Sequence, residues 1–494
     1  MAQRLGRQPS LRSRALRHYE RRQAARGESG NRLLLDSTRH FIPARDWLGG
    51  TGSDARANAE KRAEDLVRLN RGLLENMQVS AEVGRQRGEP GLRVHTGTRV
   101  GAIPLRSPVT GRSDFGLVVA PRFEWSGVGD LLATTGFRVL PELLPIDELP
   151  QSERHVPPWV LASVVLHRLE QLLASTARRF VTVEEDRLAP RGAVDWQRYA
   201  LTKVTSARML EVPCRFPDLR DDEELRSAIH WTVRRQRDAL LAAPAAGRVV
   251  NELVRLAERL IARLAGSPPK PPTLRARQAW RNHPFGGRVF AEGIDAIDWT
   301  LDERGLAGLS DLAGLAWRLD MEVFFEAWVE SIAAWVGRRV GATVRSARAE
   351  QTRVALDWSP RFAGSQGSVV PDVVMQRDDV AVVLDAKYKQ HAQEIQRLGW
   401  FETSDRTREQ HRADLLQALA YSTLFDAPRV VTLLVYPCAV DEWRRLAENG
   451  RTLALARVRT GPRNVEVGLL AVPLGGGVEQ AAEPLSRVLS SSVA

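Results

Sequence analysis

One stretch of the sequence, Val369–Lys389, constrains the fold most strongly. It contains two short apolar runs joined by a polar turn, and each run carries an aspartate, Asp372 in the first and Asp385 in the second. Lys387 follows two residues after the second aspartate. Charged groups are costly inside an apolar strand unless a partner compensates them. The pattern therefore predicts a β-hairpin whose two acids are functional, and binding of a divalent metal is the best candidate for their function.

The geometry of such a hairpin brings the two acids together. A two-residue turn at Asp378-Asp379 places Asp372 directly across from Asp385. Like charges in that position destabilise a sheet, and a divalent cation between them reverses the effect because hard cations prefer carboxylate oxygens. Since side chains alternate along a strand, Asp385 and Lys387 share a face, and the carbonyl of Ala386 is a possible further ligand.

This arrangement suits phosphodiester hydrolysis. A metal lowers the pKa of its bound water and acts as a Lewis acid, while Lys387 stabilises the charge that develops on the phosphate. We expect Mg²⁺ as the cofactor, with Mn²⁺ as a possible substitute. The competing interpretation is that an Asp-x-Lys at a strand end is simply solvated, which is the commoner case for such a short motif.

Two flanking helices supply candidate supporting residues. Gln417 and Tyr421 are four residues apart, so they lie on one helix face, where Gln417 could hold Lys387 or a phosphate and Tyr421 could contact a DNA backbone. Upstream, Glu322, Glu326 and Glu330 form a stripe at the same spacing. Spacing alone does not choose among these three glutamates.

The composition narrows the partners. The chain has 494 residues and a formal net charge of +11, which favours a polyanionic partner, nucleic acid before an anionic membrane. Two distant cysteines exclude a disulfide framework and a zinc site, so we expect a cytoplasmic protein. The longest apolar runs fall far short of the ~20 residues of a membrane span. No Gly-x-x-x-x-Gly-Lys-Ser/Thr loop is present, which argues against an NTPase of that type.

Shifts in composition divide the chain into regions. The last region reads α-β-β-β-α-β, which predicts a mixed sheet flanked by helices. The predicted regions are a basic arm, partly disordered or helical (1–85), a β-rich partner-docking module (86–150), a helix-rich middle region (151–265), a Pro-rich linker and connector (266–310), an α/β nuclease domain (311–475) and a frayed tail (476–494).

At these residues the sequence resembles the PD-(D/E)XK nuclease superfamily. Pro371-Asp372 and Asp385-Ala386-Lys387 match its signature, and Gln417 to Tyr421 matches the Gln-x-x-x-Tyr helix of one branch. More closely, the chain resembles the McrC-like nuclease subunits of modification-dependent, McrBC-type restriction systems. The stretch Phe325-Glu326-Ala327-Trp328 resembles the head of that nuclease domain and selects Glu326 as an outer metal ligand. Asp414-Leu415-Leu416-Gln417 is similar to the group's Asp-x-x-Gln helix.

The resemblance implies a division of labour. McrC-like subunits act with a AAA+ NTPase motor that hydrolyses nucleotide and moves on DNA, and the motor subunit reads the modified base. The implied partners are therefore double-stranded DNA, modified or foreign, and a McrB-like motor. Residues 1–85 and an insertion at 390–410 depart from the group's pattern.

Two other functions remain open from the sequence. The chain could be a self-sufficient nuclease of repair or recombination, with the basic arm binding DNA directly. It could also be a non-catalytic adaptor that only activates a motor, although the residues of the nuclease signature are all present.

Overall fold

The computed structural model describes residues 31–44, 58–122, 125–144, 158–175, 179–220, 222–242, 247–282, 287–302, 315–360, 362, 364–389, 402–458 and 463–490. The chain divides into two compact units. The first takes in residues 1–122, 143–155 and 311–318, and the second takes in residues 123–142, 156–310 and 319–494. The arginine-rich first thirty residues and most of the predicted insertion, residues 390–401, lie outside the described residues.

The first unit is rich in short strands, as predicted for the β-rich module. Strands β2, β4 and β3 form an antiparallel sheet. In a separate five-stranded sheet, β1 pairs in parallel with β6. Arg87 and Gly88 have positive φ angles and form the two-residue turn between β3 and β4, a conformation that favours glycine. The elements are β1 (Asn31–Leu35), β2 (Arg39–Pro43), α1 (Ala59–Asn76), β3 (Val79–Gln86), β4 (Glu89–Thr96), β5 (Arg99–Leu105) and β6 (Phe115–Ala120).

The N-terminal region holds one predicted and two unpredicted elements. The spacing of leucines predicts a helix from Asp54 to about Met77, and α1 falls within it, burying Ala63, Leu66 and Leu74. Strands β1 and β2 were not predicted, because their apolar residues are few and stand beside a long arginine-rich segment.

The middle of the chain, in the second unit, is mostly helical. Its elements are α2 (Trp125–Thr134), β7 (Glu142–Leu143), α3 (Pro158–Ser175), β8 (Arg179–Arg187), β9 (Ala193–Val194), α4 (Trp196–Arg198), β10 (Val212–Arg220), α5 (Glu223–Leu241), α6 (Arg248–Arg263), α7 (Leu274–Arg281) and α8 (Arg288–Leu301). Apolar residues at helical spacing predict a helix from Val160 to Phe180, and the helix observed there, α3, ends at Ser175.

The segment after the prolines is folded, although the sequence suggested a connector. Helices α7 and α8 follow the Pro-rich stretch, and Arg277 and Arg281 of α7 both bind the buried carboxylate of Asp298 on α8. Gly293 of α8 lies so close to Leu172 of α3 that an added Cβ would clash at 2.7 Å, so glycine allows this close packing. Residues 274–301 therefore pack as part of the helical region.

The C-terminal part of the second unit is a six-stranded mixed sheet flanked by helices, in the order β12-β15-β16-β17-β19-β18. Strands β16, β17 and β19 are parallel neighbours, and the other pairings are antiparallel. The elements are β11 (Trp317–Asp320), α9 (Met321–Val340), β12 (Thr343–Ser346), β13 (Val354–Ala355), β14 (Ser368–Val369), β15 (Val373–Arg377), β16 (Val380–Ala386), α10 (Asp405–Ser422), β17 (Arg429–Cys438), α11 (Val440–Glu448), β18 (Leu453–Val458), β19 (Asn464–Pro473) and α12 (Val478–Ser490).

Three details of this region differ from the predictions. The apolar pattern predicts a helix over residues 312–340. The start of that range lies outside the described residues, and α9 begins at Met321, because β11 precedes it and the Asp320 side chain caps its first turn. The tail predicted to be frayed forms α12 up to residue 490 and buries Leu485 and Val488. Leu416, expected to pack on the sheet, is 60% exposed.

The centre of the six-stranded sheet is fully buried. Every residue of β17 is buried, as expected for a parallel strand covered on both faces. Ala418 of α10 packs against Leu434 and Tyr436 of β17, with Leu415 and Leu419 at the rim of the same cluster. No helix among the described residues combines the length and apolar character that crossing a membrane requires.

Candidate active site

The hairpin of β15 and β16 has the predicted register. Val373 pairs with Leu384, and Arg377 pairs with Val380 across a two-residue turn in which Asp378 has a φ of 48°. Continued by one residue, this register sets Asp372 opposite Asp385. The Asp372 carboxylate accepts a hydrogen bond of 2.7 Å from the backbone N–H of Ala386. The hairpin therefore brings the two predicted acids side by side.

The electrostatics of this pair are unfavourable without a cation. Burial, and after it the charge of the neighbouring Asp385 carboxylate, raise the pKa of Asp372 to about 7. The side chain of Asp385 is also buried, which raises its own pKa. Its Oδ2 atom accepts no hydrogen bond of good geometry. Two carboxylates in a low-dielectric site repel each other, and a bound cation would relieve that repulsion.

Lys387 faces the same acids. Its Nζ atom lies 2.8 Å from Asp385 Oδ2 and donates a hydrogen bond of 3.0 Å to Gln417 Oε1. Burial disfavours the ammonium, but the attraction of Asp385 outweighs that effect and the pKa of Lys387 is raised. The backbone N–H of Lys387 donates to Val435 O on β17 at 2.8 Å, which extends the parallel pairing past the end of β16. The lysine is therefore charged and fixed in position.

Gln417 and Tyr421 continue this network on α10. Gln417 Nε2 donates a hydrogen bond of 2.8 Å to the Tyr421 hydroxyl. That hydroxyl in turn donates a hydrogen bond of 3.5 Å to Val370 O. Tyr421 is only 5% exposed, and burial raises its pKa. The buried position of Tyr421 therefore does not favour the contact with a DNA backbone that the sequence suggested. It orients Gln417, which in turn holds Lys387.

The structure distinguishes the three glutamates of α9. Glu322 is exposed, and Glu330 is engaged by Arg138 at 2.9 Å and by Ser346 at 3.2 Å. Glu326 is different, because burial raises its pKa, with smaller contributions from neighbouring acids that include Asp385, and its own charge contributes to the raised pKa of Asp372. Glu326 is therefore an electrostatic neighbour of the acid pair, and its role as an outer metal ligand stays a prediction.

The acids do not form a complete ligand set by themselves. Among the residues that the structure describes, no three side chains of His, Cys, Asp or Glu converge closely enough to bind one metal ion. Asp372 and Asp385 form a pair, with Glu326 as an electrostatic neighbour.

Three residues of the site were not singled out as functional from the sequence. Asp414 is buried on α10, where Lys389 donates to its Oδ1 at 2.7 Å and Tyr436 donates to its Oδ2 at 3.3 Å. The charge of Asp414 also raises the pKa of Asp385. The spacing of the sequence could have predicted Lys389 and Asp414. Lys389 lies two residues after Lys387, and Asp414 lies about one helical turn before Gln417.

Comparison with known families gives a decisive result. Residues 144–437 match the family described as the McrBC 5-methylcytosine restriction system component, which is more than half of the chain. The chain belongs to this family. The matched range contains all six predicted site residues, and the resemblance to McrBC-type systems is confirmed.

Two solved structures are also similar. The first is a refined half-complex from a tetradecameric assembly of Thermococcus gammatolerans McrB AAA+ hexamers with bound McrC, with 14% identity over 93% of this chain and 100% of that chain, at a TM-score of 0.40. The second is the Thermococcus gammatolerans McrBC complex, with 15% identity over 64% of this chain and 90% of that chain, at a TM-score of 0.26. No curated protein matches. Membership in the family rests on the family match.

Proposed function

We propose that this chain is the McrC-like nuclease subunit of a McrBC-type antiphage restriction complex and that it hydrolyses DNA phosphodiesters with Mg²⁺. The observation that carries the proposal is the buried pair Asp372 and Asp385, with Lys387 held beside it. The mixed sheet and its hairpin would then be a PD-(D/E)XK nuclease core, within a nuclease domain at 311–475.

The donor set fits Mg²⁺. This ion is commonly bound through one or two carboxylates, and water and substrate phosphate complete its octahedral shell. Asp385 offers a buried carboxylate whose Oδ2 atom lies 2.8 Å from Lys387 Nζ, and Asp372 retains one oxygen besides the one that binds Ala386 N–H. Glu326 would act through the outer shell. When bound, Mg²⁺ or Mn²⁺ would supply a Lewis acid and a water of lowered pKa.

The residues around this pair have distinct roles. Lys387 directs one N–H toward Gln417 and lies against Asp385, so a third N–H is available to a phosphate oxygen, where it would stabilise developing charge. Gln417 and Tyr421 keep the ammonium in place. Preorganisation of this kind reduces the reorganisation needed when the phosphate reacts.

The rest of the proposal concerns partners. The chain belongs to a family described by restriction of 5-methylcytosine, and its sequence contains no phosphate-binding loop. We therefore propose that a separate AAA+ NTPase of the McrB type recognises modified or foreign double-stranded DNA in the cytoplasm and activates cleavage. The β-rich region at 86–150 is the proposed docking module for that motor.

The direct test is Asp385→Ala, assayed with the AAA+ partner, Mg²⁺ and methylated plasmid DNA. Loss of Asp385 should abolish cleavage, because one of two metal ligands is gone, while binding to the partner survives. Asp379→Ala is the matched control, an exposed acid in the turn of the same hairpin. Full cleavage by the purified Asp385→Ala complex would disprove the proposal. Cleavage of plain DNA without the motor would instead identify a self-sufficient nuclease.

A further inference from the structure

A loop next to the acid pair carries exposed aromatic side chains. Residues 356–367, here called the aromatic loop, leave β13 and return at β14, directly before Pro371-Asp372. Trp358 is 49% exposed and Phe362 is 66% exposed. Single exposed apolar residues are ordinary on protein surfaces. Two large aromatic rings on one loop, a few residues from a catalytic acid, need another explanation.

The aromatic loop is held by specific hydrogen bonds. Its ends are joined by Leu356 N–H to Gly367 O at 2.9 Å, and the Trp358 indole N–H donates to Gln366 O at 2.8 Å. The ring centroids of Trp358 and Phe362 are 6.1 Å apart at an interplanar angle of 49°. The two rings are thus presented in a fixed arrangement, so a partner that stacks on them need not first order the loop.

The base of the loop is tied to the active site. Val354 pairs with Val369, and the Thr352 hydroxyl donates to Pro371 O at 2.6 Å. Gln366, which anchors the indole, precedes Asp372 by six residues, so the chain allows a separation of at most about 22 Å. A turn of duplex DNA is about 34 Å long. The aromatic loop therefore lies within one helical turn of any phosphate held at the acid pair.

We propose that the aromatic loop binds DNA beside the scissile phosphate, with Trp358 and Phe362 stacking on bases or wedging between them. This inference rests on the proposed nuclease function. Aromatic rings bind nucleic acids in both ways without reading sequence. The local charge fits, since residues 341–370 contain four arginines (345, 348, 353 and 361) against two acids (350 and 357). Such a contact would position the duplex, while recognition of the target DNA sequence or modification would lie with another subunit.

The test measures binding of a fluorescent duplex to the full-length chain in chelator, where no cleavage occurs. Trp358→Ala should weaken binding about 5- to 30-fold, the usual effect of losing one stacked base. The slope of affinity against salt should stay the same, because no phosphate contact is lost. Phe362→Ala should also weaken binding, and Trp358→Phe should keep most of it. Leu455→Ala is the control, a 43% exposed side chain on β18, an edge strand of the six-stranded sheet.

A second measurement locates the contact. Photocrosslinking of an iodouracil-substituted duplex, followed by mass spectrometry, should label peptides of the aromatic loop. The inference is overturned if Trp358→Ala and Phe362→Ala bind DNA like the wild type and no crosslink maps to the loop. Loss of self-association or of motor binding with DNA binding intact would overturn it as well. Normal cleavage by wild type in those cases leaves the nuclease proposal standing, whereas a wild type that neither binds nor cuts DNA defeats both.

Discussion

The two ends of the central parallel strands bury charge in opposite ways. At the start of β17, Arg429 donates to Glu466 Oε2 from Nη2 and Nε at 2.7 and 3.0 Å, and its Nη1 donates to Val488 O at 3.1 Å. At the end of β16, Asp385 faces Asp372 instead. Because Arg429 pairs with Val380, five residue steps of strand, roughly 17 Å, separate the two places.

The difference lies in whether the buried charges are satisfied. Arg429 and Glu466 are 6% and 5% exposed, have opposite charges and match each other in donors and acceptors. Asp372 and Asp385 are instead two acids side by side. Lys387 pairs with Asp385 at 2.8 Å, yet burial and the Asp385 carboxylate still raise the pKa of Asp372 to about 7. Both ends incur the cost of desolvation. Burial of charge alone therefore does not indicate a functional site, whereas a pair of neighbouring acids with a strongly raised pKa is a candidate for one.

The largest expected effect is on stability, at the Arg429 end. Arg429→Met should destabilise the protein by about 3–5 kcal/mol, because it leaves Glu466 buried without its main partner. Cleavage per folded molecule should not change. Urea unfolding followed by circular dichroism measures the loss, and Arg429→Met combined with Glu466→Leu should recover most of it. A single variant as stable as the wild type would show that the ion pair is not what holds this end together.

At the acid pair, a substitution should stabilise the folded protein instead of destabilising it. The pKa of Asp372 is about 7 in the folded protein against 3.8 ordinarily, so the folded state retains a proton that the unfolded state releases. Stability in chelator should therefore fall as pH rises from about 4 to about 7. Asp372→Asn removes this penalty and should raise the melting temperature in chelator at pH 8 by ~2 °C or more. Mg²⁺ should stabilise only the wild type. A lower melting temperature for Asp372→Asn in chelator would contradict the comparison.

The smallest effect is expected at the rim of the acid pair. Tyr421→Phe removes the hydroxyl that accepts from Gln417, so Lys387 is less firmly held. We expect the cleavage rate to fall about 5-fold, the equivalent of one modest hydrogen bond. Leu416→Ala on the exposed face of the same helix is the control. An unchanged rate in Tyr421→Phe would remove Tyr421 from the supporting network.

Local patterns predicted the hairpin and its network well. A two-residue turn and the period of two fix which side chains meet across a hairpin, so the partners of Asp372 and Lys387 followed from counting. The four-residue spacing of Gln417 and Tyr421 likewise placed both on one face of α10. These features depend on short stretches of chain whose geometry is nearly fixed.

Features that depend on distant contacts were missed. Helix α12 contains Pro484 and ends the described chain, so its burial could not be seen from local sequence. The side chain of Asp414 gains its role only because Lys389 and Tyr436, from two other segments, converge on it. Likewise, spacing left three glutamates on α9, and tertiary packing distinguished Glu326 from the other two.

The central claim is that the pair of acids at the end of the hairpin binds a divalent metal. Titration of the full-length chain with Mn²⁺, followed by electron paramagnetic resonance of the free ion, tests it without relying on cleavage. The wild type should bind a Mn²⁺ ion that Asp385→Asn does not, and Asp379→Asn, in the turn of the same hairpin, should bind like the wild type. Equal Mn²⁺ binding by the wild type and Asp385→Asn would contradict the account.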